Sequence, residues 1–214
     1  MRSLLLASVL SFALPAAAQS PDETPLLDVL EVMVLDRSLV AIDAETGGQR
    51  TLPLRLEERV LWKGSRGRVG VVFTDQRVVA VAVQSAAWQQ AGLHRGEHLP
   101  EAAVLGDRVA LVITSDRAIG FNGATGNLVE SRLGLNERVL SARAGANVAV
   151  VVTDRRALGL SPLVGGFFST KVFLEERLES VEAGGNLATV TTDRRVLVFR
   201  TPTGTWEERR RTLR

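Results

Sequence analysis

The 214-residue chain has no cysteine, no tyrosine, two histidines and two methionines, and its lysines are Lys63 and Lys171 alone. Without cysteine there is neither a disulfide framework nor a lipid-modified cysteine anchor, so stability must come from burial and strand pairing. Aromatic residues make up 5%, too few for the stacking platforms of a single-stranded nucleic-acid groove. An excess of one charge is also missing. The formal net charge is +2, carried by 24 arginines and two lysines against 24 acids whose signs alternate along the chain. That excludes the concentrated basic face of a nucleic-acid binder.

No apolar run reaches the ~20 residues that span a bilayer. The longest, Leu4 to Leu14, follows Arg2 and precedes Ala16-Ala17-Ala18, which is the pattern of a cleaved export signal. Residues 1–18 are therefore expected to be a signal peptide. Residues 19–214 form one domain, periplasmic or secreted, with no integral membrane segment.

What is present is repetition. VMVLDRSLVAI from Val32, VGVVFTDQRVVAV from Val69, VALVITSDRAIGF from Val109, VAVVVTDRRALGL from Val148 and LATVTTDRRVLVF from Leu187 share one pattern. An apolar β-branched run, a polar turn and a second apolar run follow one another. Arg37, Arg77, Arg117, Arg156 and Arg195 mark the register at spacings of 40, 40, 39 and 39. A fixed period of this size belongs to architectures in which each unit buries its apolar face against its neighbours.

In the third unit the strands read Val109 to Thr114, Arg117 to Phe121, Asn127 to Leu133 and Val139 to Arg143, with turn-rich segments between them. The first strand is apolar at successive positions, as a strand buried on both faces is. The expected fold is all-β: a five-bladed β-propeller of four-stranded antiparallel blades. The fifth unit ends at its third strand, Trp206 to Leu213, and Leu26 to Leu30 precedes the first. An N-terminal strand at Leu26 to Leu30 is therefore expected to complete the last blade and close the ring.

The segments Ala41-Ile42-Asp43-Ala44-Glu45-Thr46-Gly47, Gly120 to Gly126 and Thr203-Gly204-Thr205-Trp206 resemble the repeat of quinoprotein-like (PQQ-type) β-propellers. There an apolar-Asp-Ala strand end leads into a Thr-Gly turn, and a Trp often closes the motif. The resemblance implies the blade; the family's cofactor is not carried over, since the blades are few and no adjacent cysteine pair exists. No cofactor is expected.

His94-Arg95-Gly96-Glu97-His98 has the H-x-x-E-H form of a zinc-protease signature, which needs a helix to bring both histidines to one metal. Gly96 and Pro100 oppose a helix, and on a strand residues four apart are ~13 Å apart. No metal site is expected. Asp36, Asp75, Asp116, Asp154 and Asp193, with Glu57-Glu58-Arg59, Glu97-His98, Asn136-Glu137-Arg138 and Glu175-Glu176-Arg177, should gather on one rim as a belt of charge. The belt is either a recognition surface using Arg37, Arg77, Arg117, Arg156 and Arg195 or a set of pairs that serve the blades themselves. Ser161 to Phe168 replaces the Thr-Gly turn with an apolar loop, which makes Phe167 and Phe168 candidate binding residues. Trp88 and Trp206 occupy equivalent, blade-packing places. No carboxylate pair is unique to one blade, as a glycosidase site would require.

The resulting expectation is a non-catalytic module that binds another envelope or extracellular protein through one rim. A carbohydrate-binding, lectin-like propeller with a glycan ligand is the alternative, and a small glycosidase follows it.

Overall fold

The computed structural model describes residues 28–211. These form nineteen strands in five antiparallel sheets, with no helix. The first sheet contains β1 (Leu30–Leu35), β2 (Ser38–Asp43) and β3 (Gln49–Pro53). The second contains β4 (Val60–Arg66), β5 (Val69–Thr74), β6 (Arg77–Ala82) and β7 (Gln89–Gly92). The third holds β8 (Val104–Leu105), β9 (Val109–Ile113), β10 (Arg117–Asn122) and β11 (Asn127–Arg132). The fourth holds β12 (Val139–Ala144), β13 (Ala149–Thr153), β14 (Arg156–Ser161) and β15 (Gly166–Lys171). The fifth holds β16 (Leu178–Ala183), β17 (Leu187–Thr192), β18 (Arg195–Arg200) and β19 (Thr205–Arg210). Each is a meander in sequence order, and the five are the blades of a β-propeller.

The blade boundaries differ from those the sequence suggests. The segment read as the fourth strand of the third unit, β12, pairs forward with β13 and opens the next blade. The fifth blade therefore has four strands of its own, β16 to β19. The blade with three among the described residues is the first. Of the expected closing strand, Leu26 and Leu27 lie outside the described residues; Leu30 opens β1 and pairs with Asp43 of β2 rather than with β19, and the Val29 and Leu30 amides donate to the Gly67 carbonyl of the second blade (2.8 and 3.0 Å). The signal peptide also lies outside the described residues.

The same rung recurs at each step. Arg68 N donates to Asp107 O (2.9 Å), Arg108 N to Ala146 O (2.9 Å) and Asn147 N to Gly185 O (2.7 Å). These bonds tie the turn after the first strand of one blade to that of the next.

Four buried apolar clusters fill the spaces between consecutive blades, from the first and second to the fourth and fifth. Their fit depends on small residues meeting large ones. Ala80 and Phe121 share the cluster between the second and third blades. A Cβ on Gly120 would lie 2.8 Å from Leu160, and one on Gly159 would lie 2.5 Å from the Phe199 ring. Central strands β5, β6, β9, β10, β13 and β14 are buried on both faces along most of their length. Strand β17 alternates instead, with Ala188 and Val190 facing the fourth blade and Leu187, Thr189 and Thr191 facing away.

Candidate docking rim

The chain crosses from blade to blade through four short links on one rim: residues 54–59, 93–103, 133–138 and 172–177. Each contains a four-residue turn closed by a backbone bond, from Glu58 N to Arg55 O (3.2 Å), Glu97 N to His94 O (3.1 Å), Glu137 N to Gly134 O (2.9 Å) and Glu176 N to Phe173 O (2.9 Å). In three of them the third residue of the turn is left-handed: Glu57 (φ 60), Gly96 (φ 79) and Asn136 (φ 57). The glutamate that ends each turn points inward, and the two central residues point to solvent.

Each inward glutamate meets the arginine that opens the third strand of the following sheet. Arg77 binds Glu58 through Nε to Oε1 (2.7 Å) and Nη2 to Oε2 (2.8 Å). Arg117 holds Glu97 in the same way (2.9 and 3.0 Å), and Arg156 holds Glu137 (2.8 and 3.2 Å). Arg195 pairs with Glu176 at 2.7 Å. Hydroxyls of Thr74, Thr114 and Thr153 donate to the first three glutamates (2.7, 2.6 and 2.8 Å).

Every one of these arginines also donates through Nη2 to a carbonyl at the end of the preceding blade. The acceptors are Pro53 O (3.2 Å), Gly92 O (2.6 Å), Arg132 O and Lys171 O (2.8 Å). The ion pair is thus a clamp between blades. Burial alone would push the Glu58 carboxyl up. The bonds from Arg77, the Arg55 amide and Thr74 outweigh it and bring the carboxyl from 4.5 to about 2. Glu97 and Glu137 are lowered by the same balance.

These positions settle where the sequence candidates lie. Arg77, Arg117 and Arg195 are buried and Arg156 is half-buried, all four engaged in clamps. Arg37 differs. Ser38, not Arg37, occupies the place of Arg77 at the start of its strand, so the register mark in the first unit moves by one residue. Arg37 is exposed in the turn and donates to Arg55 O (2.7 Å), as Arg155 does to Leu135 O (2.9 Å).

Phe167 and Phe168 are half-buried on opposite faces of β15. Phe167 packs toward the third blade, and Phe168 packs on Phe199, 6.1 Å between ring centroids. The apolar loop between β14 and β15 keeps the turn of the other blades. Gly165 has φ 77 where Gly126 has φ 74, and Ser161 Oγ accepts the Leu163 and Val164 amides as Asn122 Oδ1 accepts those of Ala124 and Thr125. The residues this loop exposes are Leu163 and Val164, not the phenylalanines.

Trp88 and Trp206 bond the preceding blade through their indoles, to Arg50 O (3.1 Å) and Phe168 O (2.8 Å). His94 and His98 sit in a turn, and among the described residues no three His, Cys, Asp or Glu side chains gather as a metal site would need.

The feature that sequence reading missed is at the tips of the links. Leu56, Leu135 and Leu174 hold the same turn position and are 82, 87 and 86% exposed. Beside Leu174, Phe173 is 55% exposed under the guanidinium of Arg195, 4.6 Å from ring centroid to Cζ. The signal was available as Leu-Glu-Glu-Arg, Leu-Asn-Glu-Arg and Leu-Glu-Glu-Arg at Leu56, Leu135 and Leu174. A periodic leucine reads as core until the turn is known.

No helix of the described residues is long and apolar enough to cross a membrane. No family model matches the chain, and no curated protein matches it. Among solved structures the chain is similar to Prp20p from Saccharomyces cerevisiae at 8% identity and a TM-score of 0.42, covering 81% of this chain and 55% of that one. A HIRA fragment gives 10% identity and a TM-score of 0.42 over 71% and 55%. The WD40 domain of SCAP from fission yeast gives 13% and 0.35 over 88% and 56%. The chain spans a little over half the length of these structures. The blade architecture rests on the sheet order described above.

Proposed function

We propose that this chain is an exported, non-catalytic propeller that binds another protein of the envelope or extracellular space through the rim of its links. One observation supports the reading above others: three leucines held in solvent by equivalent turns. A large apolar side chain exposed once is ordinary; the same exposure repeated at one turn position in three of the four links supports a role in meeting a partner. The clamps beneath fix the turns, so the tips are presented on a rigid base. Export is supported by Arg2, the Leu4 to Leu14 run and the Ala16 to Ala18 site. The Asp43 to Gly47 turn supports a quinoprotein-like blade.

The test uses residues 19–214 as bait in an envelope extract, beside a Leu135→Ser/Leu174→Ser variant of unchanged melting temperature. A protein retained by the first and lost by the second establishes the rim. Equal retention by both removes it as the binding surface.

A further inference from the structure

The second link departs from the other three. It covers residues 93–103, whereas the others span six residues each, and the strand it leads into, β8, has two residues where β4, β12 and β16 have seven, six and six. At this place a hollow of about 470 Å3 lies between the start of β4 and the Leu99-Pro100-Glu101 stretch of the link.

Part of its wall is aromatic. Trp62, half-buried, packs on buried Phe73 with ring centroids 4.8 Å apart. Strand pairing gives Trp62 the place that Ser141 and Ser180 hold in the fourth and fifth blades, and gives Gly64 the place of Arg143 and Glu182. A Cβ on Gly64 would lie 2.7 Å from the Trp62 ring, so the missing side chain makes room for the indole along the strand. The repeat does not ask for either residue, since it builds the same strand elsewhere without an aromatic.

The charged groups of the wall are acids. Asp75, Glu97 and Glu101 line it together with His98, and no arginine or lysine does, in a chain that carries 24 arginines. Glu97 is held by Arg117. Asp75 accepts the Arg59 amide through Oδ1 (3.0 Å), and among the described residues neither Asp75 nor Glu101 makes an ion pair. Arg138, which stands where Arg59 does, reaches its own aspartate at 3.6 Å.

We propose that this hollow binds an organic ammonium ion with an apolar body. The alkyl groups lie against Leu61, Leu99 and the Trp62 face, which attracts the cation, and Asp75 and Glu101 neutralise it. The volume is that of a small-ligand site. An anion would meet two carboxylates with no counter-charge, and a neutral ligand gains nothing from them beyond hydrogen bonds. Leu56, Leu135 and Leu174 take no part in this wall, so the site stands or falls separately from the docking rim.

Choline is the probe, titrated calorimetrically beside dimethylbutanol, its uncharged carbon isostere, and methyl glucoside. Choline should bind at least tenfold tighter than either. Trp62→Leu and the double variant Asp75→Asn/Glu101→Gln should each weaken it about fivefold. The asparagine keeps the oxygen that accepts the Arg59 amide, so the melting temperature of the double variant should not move. Leu135→Ser/Leu174→Ser should bind choline as the parent chain does. An acetylated lysine amide distinguishes the source of the cation: binding as tight as choline assigns it to a partner's lysine, and weaker binding assigns it to a free small molecule. Equal binding of dimethylbutanol, tighter binding of the glucoside, no binding of choline, or choline binding unchanged in Asp75→Asn/Glu101→Gln each overturns the proposal.

Discussion

The clamp of Thr, Glu and Arg shows how a repeated charge is spent on structure. Arg117 is buried with both nitrogens of its outer edge on Glu97, a third contact to Glu130 and a fourth to the Gly92 carbonyl. Such a pair adds little over an apolar substitute, but removing one partner strands a buried charge. Glu97→Gln should therefore cost about 3 kcal/mol in urea unfolding, while Arg37→Gln, in an exposed turn, should stay within about 0.5 kcal/mol.

The pH dependence has a definite sign. Glu58 stands at about 2 in the folded chain against 4.5 ordinarily, so its contribution is fully present above 4.5 and disappears as pH falls through 2. Glu97 and Glu137 are lowered too. The urea midpoint should be flat from pH 7 to 5 and drop steadily below 4.5. A midpoint unchanged down to pH 3 would show that the clamps hold no stability.

Strands and links follow from how blades meet. Gly159 has an ordinary φ, and its missing Cβ makes room for Phe199 of the next blade. Gly159→Ala should destabilise by about 1–3 kcal/mol through overpacking. Phe199→Leu in the same chain should recover part of that loss, which a thermal-melt double-mutant cycle would read as coupling. Coupling near zero would mean that the two blades separate at this point without cost. The three bulges at Val60/Trp62, Val139/Ser141 and Leu178/Ser180 fall at one place in the first strand of three blades. They leave Leu61 and Leu140 at the surface.

For the molecule as a whole, the fifth blade is built differently on its outer side. Where β5 and β13 face the next blade with Val71 and Phe73 or Val150 and Val152, β17 offers Thr189 and Thr191, and Val198 stands where Gly120 and Gly159 admit a neighbour. A second copy laid against that face would strip these hydroxyls of water. Thr189→Val/Thr191→Val should raise self-association, seen as a concentration-dependent shift in sedimentation velocity, with the monomer's melting temperature unchanged.

The number of blades, their antiparallel strands and their apolar interiors were legible in the sequence, because the period of 39 to 40 and the consecutive apolar residues of Val148 to Val152 follow from local patterning. The blade boundary was not. Most connections are short and polar, and nothing local separates a turn within a blade from a link between blades. Just before β12, which pairs with β13, Glu137 of the link is held by Arg156 and Thr153 of the blade that β12 opens. The same ambiguity moved the register mark from Arg37 to Ser38 and hid the site. Whether an arginine or a leucine in a repeat faces solvent depends on which side of a turn the next blade covers. That depends on contacts some 20 residues or more away in sequence, such as Arg117 to Glu97 and to Gly92.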